Sequence, residues 1–134
     1  MKSWVLEAPS MMNMIMNGDF QIMRGHLYVV DMEPRIHTKP GKTRPCVVIQ
    51  SDMFNAQGHS SAVILPITSK IINDDFLHLR IPKESSSLQK ESDILVSQII
   101  AISTTSFKKY IGRLPQSIFE ELENRIKILL DFIP

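Results

Sequence analysis

The chain has 134 residues, enough for one domain with a single hydrophobic core. Its composition, 43% hydrophobic and 22% charged, is that of an ordinary soluble globular protein. The net charge of +1 is nearly neutral, so an argument for an anionic partner must rest on local clusters of positive charge. A single cysteine, Cys46, excludes an internal disulfide framework and favours the reducing cytoplasm, and no apolar run approaches the roughly 18 residues of a membrane span.

The first 22 residues differ from the rest because they hold five of the eight methionines. Glu7 and Pro9 interrupt the apolar run that a signal peptide requires. We expect residues 1–22 to be a loosely ordered extension, or the product of a start codon assigned too early. The alternative is an arm that packs on a neighbouring subunit through residues 4–6. The folded domain is expected to span residues 23–134.

Five segments rich in β-branched and aromatic residues predict strands, and clusters of turn-forming residues separate them. They are Arg24–Met32, Cys46–Gln50, Ala62–Thr68, Phe76–Ile81 and the long segment Asp93–Ile102. Pro66 predicts that the third strand lies at an edge or carries a bulge. A short helical turn at Thr104–Lys109 and a final short strand at Tyr110–Leu114 are expected to follow.

The segment after Pro115 is the clearest helix in the chain. Its apolar residues fall on one stripe: Ile118, Leu122, Ile126 and Leu129. Glutamates near its start and cations near its end suit the helix dipole. Because short loops join consecutive strands, we expect antiparallel pairing, so the predicted fold is mainly β with α (α+β), a small antiparallel barrel with a C-terminal helix.

A cationic loop is predicted between the first two strands, because Pro34, Pro40 and Gly41 prevent a regular element there. The loop contains His37 and no acidic residue between Arg35 and Arg44. Its four cations are Arg35, Lys39, Lys42 and Arg44. Such a loop, held at one end by a buried strand, suits an anionic partner such as nucleic acid.

Short motifs are spread along the chain in a fixed order. They are Arg24-Gly25, Tyr28-Val29-Val30-Asp31, Gly41-Lys42-Thr43-Arg44-Pro45, Gln50-Ser51-Asp52, Leu65-Pro66-Ile67-Thr68, Ser92–Ile99 and Gly112-Arg113-Leu114-Pro115. In this order and at these spacings they resemble the MazF/PemK family, the toxins of type II toxin–antitoxin modules. The resemblance covers residues 23–132, nearly the whole chain beyond the N-terminal extension.

This resemblance implies a fold, an activity and partners. The fold is an SH3-like barrel that works as a homodimer. The activity is cleavage of single-stranded RNA by an endoribonuclease without metal or cofactor, in which the ribose 2′-OH attacks the adjacent phosphate and leaves a 2′,3′-cyclic phosphate. The implied protein partner is a cognate antitoxin. The resemblance implies contact with DNA only through this antitoxin, and no contact with a membrane.

The resemblance also assigns roles to residues of this chain. Arg44 and Thr68 match the active-site arginine and threonine of the family, and a guanidinium is suited to holding phosphate because it stays protonated and binds in a bidentate manner. His37 is a third catalytic candidate, because the unperturbed histidine pKa of about 6.5 suits proton transfer. The residues expected to bind substrate are Arg35, Thr38, Lys39, Lys42, Ser97 and Gln98.

The chain also departs from the family pattern. Lys39 and Ser97 stand where many members carry an acidic residue, and Ile100 and Ser103 replace an arginine and an aspartate. His26 likewise follows Gly25 where an aspartate is usual. These losses predict weakened catalysis, and they leave an alternative: a non-catalytic or weakly active member that binds a protein target, as gyrase poisons of the same fold do, or that serves only in a complex with antitoxin and DNA.

Overall fold

The computed structural model describes residues 21–32 and 42–132. Seven strands and two α-helices form this part of the chain. They are β1 (His26–Asp31), β2 (Thr43–Val48), α1 (Asp52–Asn55), β3 (Ser61–Thr68), β4 (His78–Ile81), β5 (Ser92–Leu95), β6 (Ile100–Ser103), β7 (Phe107–Arg113) and α2 (Gln116–Leu130). No helix within these ranges is long and apolar enough to cross a membrane.

The strands form one antiparallel sheet in the order β4-β5-β3-β2-β1-β7, and β6 also pairs with β3. β3 is the central strand: β2 lies along one edge, while β6 and then β5 lie along the other. Pro66 lies where β3 changes partner, between the pairs Ile64↔Ile100 and Ile67↔Ile94. A residue without an N–H group does least harm at such a gap in the ladder. The described sheet does not close, but the predicted antiparallel α+β architecture with its C-terminal helix is confirmed.

The prediction of one long fifth strand over Asp93–Ile102 was wrong, because two short strands with a turn between them occupy this segment. The Val96 N–H group donates to the carbonyl oxygen of Leu77, and that of Gln98 donates to the carbonyl oxygen of Leu95. The polar residues Ser97 and Gln98 lie at this turn, but the apolar residues on either side of them gave the segment the pattern of a single strand.

Three further boundaries differ from the sequence prediction. A short helix, α1, was not predicted, although the Ser51 hydroxyl accepts a hydrogen bond from the Met53 N–H group as an N-cap does. The helical turn covers only Thr104–Ser106, so the last strand is longer than predicted and begins at Phe107. The second strand begins earlier than predicted, and therefore contains Arg44 and Pro45.

The core consists of two apolar clusters on opposite faces of the sheet, because side chains alternate along each strand. Leu27, Val47 and Leu65 belong to the first cluster, which also contains the buried Phe119 and Leu122 of α2. All four residues of the predicted helical stripe contact this cluster, so that prediction is confirmed. The second cluster contains Tyr28, Val30, Cys46, Val48, Ala62, Ile64, Ile102 and Phe107.

The N-terminal boundary is visible only in part. Residues 1–20 lie outside the described part of the chain, so the prediction of an extension stays a prediction. Gln21 is buried, and its carbonyl oxygen accepts a hydrogen bond of 2.6 Å from the Tyr28 hydroxyl. Ile22 packs against the second core cluster. These two contacts tie the start of the described chain to β1.

Candidate active site

Arg44 is the second residue of β2, where it lies opposite Val30 of β1. The strand end is held by the pair Asp31↔Thr43 and by a hydrogen bond of 2.8 Å from the Met32 N–H group to the carbonyl oxygen of Lys42. The Arg44 side chain is half-buried, and it forms no ion pair within residues 21–32 and 42–132. It is therefore a positioned cation whose charge is not compensated by the described residues.

Thr68 is the last residue of β3. The register of β2 and β3 runs Val48↔Ile64, Val47↔Leu65 and Cys46↔Pro66, so Arg44 and Thr68 each lie two residues beyond the last of these pairs, at the same end of the two strands. The Thr68 hydroxyl oxygen accepts a hydrogen bond of 3.1 Å from the Lys70 N–H group, which leaves its own hydrogen free to donate. Two of the three predicted catalytic residues are thus at the same end of neighbouring strands.

Thr68 begins a row of opposed residues. Thr68 pairs with Asp93 of β5, and Asp93 pairs with Arg80 of β4. Thr68, Asp93 and Arg80 therefore occupy one face on three adjacent strands. Asp93 and Arg80 were not predicted from the sequence, since only the strand pairing places them in this row. The alternation of His78 and Arg80 with apolar residues was the one available signal.

Asp93 is fully buried and accepts three hydrogen bonds. Their donors are Arg80 Nε at 2.6 Å, the Ile72 N–H group at 2.9 Å and His78 Nδ1 at 3.0 Å. Burial raises the pKa of this carboxyl group, but the hydrogen bonds from Arg80, Ile72 and His78 outweigh it and hold the pKa below its ordinary value. The carboxylate is thus ionised and fully engaged, and it cannot serve as a general base.

A second carboxylate, Asp31, lies at the same end of the sheet. Its Oδ1 atom is buried and has no hydrogen-bond partner among the described residues. The register pairs Asp31 with Thr43, one residue before Arg44, so the Asp31 side chain lies on the opposite face of the sheet from the guanidinium. Neither carboxylate that the strand pairing places near Arg44 is therefore positioned to accept a proton there.

The predicted substrate-binding residues fall into three groups. Lys42 is exposed and immediately precedes β2. Ser97 and Gln98 lie in the turn between β5 and β6, beside the middle of β3 and two to three residues from Thr68 along that strand. The remaining predicted site residues lie outside the described part of the chain: Arg35, His37, Thr38 and Lys39.

The positions that depart from the family pattern are also visible. Ile100 is exposed at the start of β6, opposite Ile64. The Ser103 hydroxyl accepts a hydrogen bond of 3.2 Å from the Thr105 N–H group, so it has a local structural role. His26 is the first residue of β1, and its Nδ1 atom lies 2.8 Å from the Tyr110 hydroxyl oxygen. It is four residues before Val30, which pairs with Arg44. Four residues of strand span about 13 Å, which places His26 away from Arg44.

Comparisons with known proteins identify relatives that match most of the chain. The chain is 32% identical to endoribonuclease MazF of Staphylococcus epidermidis over 111 residues, which cover 81% of this chain and 91% of the relative. It is 28% identical to endoribonuclease MazF6 of Mycobacterium tuberculosis over 111 residues, or 82% of this chain and 97% of the relative. A solved structure of a mycobacterial endoribonuclease in complex with its cognate antitoxin shares the fold, with a TM-score of 0.65 and 13% identity over 84% of this chain and 94% of that one.

The family model described as PemK-like, MazF-like toxin of type II toxin–antitoxin system matches residues 23–130. This range contains every described strand and the C-terminal helix, and it includes Arg44 and Thr68. The resemblance found in the sequence motifs is confirmed. The chain belongs to the PemK-like and MazF-like toxins of type II toxin–antitoxin systems.

Proposed function

We propose that this toxin is an endoribonuclease that cleaves single-stranded RNA without a metal ion, with Arg44 and Thr68 at the reacting phosphate. The observation that carries the proposal is that Arg44, whose charge has no partner among the described residues, lies at the same end of the β2–β3 pair as Thr68. Relatives across more than four fifths of the chain are named endoribonucleases. Those names favour RNA cleavage over the alternative of a non-catalytic protein binder.

The chemistry requires a proton acceptor, a proton donor and stabilisation of charge on phosphorus. The 2′-oxygen loses its proton to a base and forms a bond to phosphorus, the bond from phosphorus to the 5′-oxygen breaks, and that oxygen takes a proton. Arg44 binds the non-bridging oxygens as negative charge develops, and the Thr68 hydroxyl donates a hydrogen bond to one of them. We assign proton transfer to His37, since Asp93 is fully engaged and Asp31 lies on the other face.

Binding of the RNA strand is proposed to extend from the loop to the β5–β6 turn. Arg35, Lys39 and Lys42 supply positive charge to the phosphates, Thr38 supplies a hydroxyl group, and Ser97 with Gln98 contacts the strand beside β3. Ile100 contributes no charge there, which is consistent with weakened activity.

The protein partners follow from the family. A cognate antitoxin is proposed as the inhibitor, supported by the mycobacterial relative solved with its own antitoxin. We also propose that the toxin forms a homodimer, contacts DNA only through the antitoxin, needs no cofactor and is located in the cytoplasm. Cys46 is buried as a free thiol, in keeping with a reducing compartment.

RNA cleavage in EDTA tests the proposal. Long single-stranded RNA is incubated with the wild type and with the variants Arg44→Ala, Thr68→Val and His37→Gln, and fragment ends are analysed for cyclic phosphate. Loss of Arg44 is expected to lower the rate about 10²- to 10³-fold, and loss of the proton-transfer group about 10²- to 10⁴-fold. Lys108→Gln is the control, because this exposed cation on β7 has no role in the proposal.

Two results would contradict the proposal. The first is an absence of cleavage at any concentration of folded wild type. The second is cleavage that survives unchanged in the Arg44→Ala variant, which would indicate a contaminating nuclease. Cleavage that occurs only after a divalent ion replaces EDTA would retain the nuclease and reject the metal-free mechanism.

A further inference from the structure

A cavity of about 400 Å³ lies next to the Arg44–Thr68 pair, on the other face of the sheet. Val29 and Pro45 are opposed residues of β1 and β2 that line it, and Ile111 of β7 lies beside them. Pro45 directly follows Arg44 in the chain, and Ser69, which also lines the cavity, directly follows Thr68. The cavity therefore begins one residue from each member of the pair.

The opposite wall of the cavity is the segment that leads into β5. Ser87 lies so close to β7 that a Cβ atom added to Gly112 would be 2.7 Å from the Ser87 hydroxyl oxygen. Leu88 of the same segment packs against the first core cluster. The Ser92 hydroxyl donates a hydrogen bond of 3.0 Å to the carbonyl oxygen of Lys90. These contacts place the wall beside β7 and the first core cluster.

The chemistry of the lining favours an anion with an apolar part. Lys90 and Lys109 both line the cavity, and neither ammonium group forms an ion pair with a described residue. None of the described lining residues is acidic. Lys109 lies opposite Val29, so its stem extends over the apolar floor. Positive charge above an apolar floor matches a nucleotide, whose base is apolar on its faces and whose phosphate is anionic.

A second cavity, of about 670 Å³, provides a contrast. Its cations are already paired: Arg80 contacts Asp93 at 2.6 Å, and Arg125 contacts Glu121 at 2.7 Å. Asp74 and Asp75 also line it. Compensated arginines and additional carboxylates make this cavity a poor site for RNA, and the smaller cavity with its free lysines is the better candidate.

We propose that the cavity at Lys90 and Lys109 holds a nucleotide of the same RNA strand, adjacent to the phosphate at Arg44 and Thr68. The strand passes around the end of β2 and β3, from one face of the sheet to the other. A base lies on Val29 and Pro45, and the lysines contact its phosphate. This inference rests on the proposed function, and it adds a second binding site on the opposite face.

Binding of an RNA that cannot be cleaved tests this site separately from catalysis. The probe is a labelled mixed-sequence 20-nucleotide strand with 2′-fluoro in place of every 2′-OH group, and its Kd is measured by fluorescence anisotropy at several salt concentrations. The double variant Lys90→Gln/Lys109→Gln is expected to bind about tenfold more weakly. Its slope of log affinity against log salt is expected to be shallower by about 0.7 for each phosphate that the variant no longer neutralises.

The matched control is Lys108→Gln/Lys127→Gln, which removes the same charge from two exposed lysines that do not line the cavity. This control is expected to change the Kd less than twofold. Lys90→Arg/Lys109→Arg is expected to retain wild-type binding, because it keeps both charges. Thermal unfolding of each variant verifies that the fold is intact.

The outcomes separate the two proposals. If the wild type cleaves ordinary RNA but both double glutamine variants bind the probe equally well, the cavity is not an RNA site, and the nuclease assignment stands. If the wild type cleaves no RNA, the nuclease assignment itself fails. A glutamate-rich peptide is a second probe. If Lys90→Gln/Lys109→Gln loses binding to this peptide but binds the 2′-fluoro RNA as tightly as the wild type does, the inference is overturned in favour of an acidic protein partner.

Discussion

At the scale of single residues, the site combines one free cation with one fully compensated charge. Arg44 has no ion-pair partner among the described residues, so its guanidinium can bind a phosphate without first breaking a salt bridge. Asp93, which pairs with Thr68, accepts hydrogen bonds from three donors. The first residue is arranged for a ligand, whereas the second is arranged to hold β4 and β5 together beside Thr68.

The stabilising role of Asp93 can be tested by removing its charge. Asp93→Asn removes the negative charge beside the Arg80 guanidinium and replaces one acceptor oxygen with a donor NH2 group, so it is expected to lower the free energy of unfolding by about 2–3 kcal/mol. Urea denaturation at pH 7 measures the change. Asp74→Asn is the control, because Asp74 is exposed and asparagine tolerates its positive φ of 59°.

The same contribution has a defined dependence on pH. Because the pKa of Asp93 is lower in the folded state than its ordinary value, the unfolded chain takes up the proton first as the pH falls. The stabilisation is therefore fully present above the unfolded pKa of about 3.9 and is lost as the pH falls through the folded pKa. The difference between wild type and Asp93→Asn should shrink only below about pH 4. A difference that stays constant far into the acid range would contradict the role.

At the scale of secondary structure, local patterns predicted most elements, whereas long-range pairing determined the rest. The apolar stripe that includes Leu122 predicted α2, and the β-branched run before Thr68 predicted β3. The break between β5 and β6 had only a weak local signal, the polar residues Ser97 and Gln98, because the two strands share one edge of β3. The same reason explains why Arg44 and Thr68 were identified through family motifs, while Asp93 was missed: residues far apart in sequence become neighbours only through the register.

The close contact between β7 and the segment before β5 is a second test at this scale. Gly112→Ala would place a Cβ atom 2.7 Å from the Ser87 hydroxyl oxygen and 3.2 Å from the Ser87 Cβ atom. Ser87 is exposed and can shift, so the expected loss of stability is about 1 kcal/mol, at the lower end for overpacking. Adding Ser87→Gly should restore most of it, with a coupling energy above about 0.5 kcal/mol by urea denaturation. Additive effects of the two changes would show that the segment does not pack as described.

At the scale of the whole molecule, the near-neutral net charge conceals an uneven distribution. The chain carries a formal charge of +1, yet unpaired cations gather around one end of β2 and the cavity behind it. The four described cations there are Lys42, Arg44, Lys90 and Lys109. Of the carboxylates at this end, Asp93 is engaged by three donors, and Asp31 lies on the face of the cavity but does not line it. Composition alone could not predict this distribution of charge, because it depends on which side chains each face of the sheet presents.

This distribution predicts that RNA binding depends steeply on salt despite the small net charge. The two proposals place six cations at phosphates, the four described ones and Arg35 and Lys39 of the loop, so the slope of log affinity against log salt is about −4.2 for single-stranded RNA. Raising the salt concentration from about 50 to about 200 mM should then weaken binding of the 2′-fluoro strand about 300-fold. Lys90→Gln/Lys109→Gln should reduce that factor to about 50-fold, and Lys108→Gln/Lys127→Gln should leave it unchanged. A slope near zero for the wild type would mean that these cations do not contact phosphates, because a lysine or arginine that neutralises a nucleic-acid phosphate releases the counterions bound there.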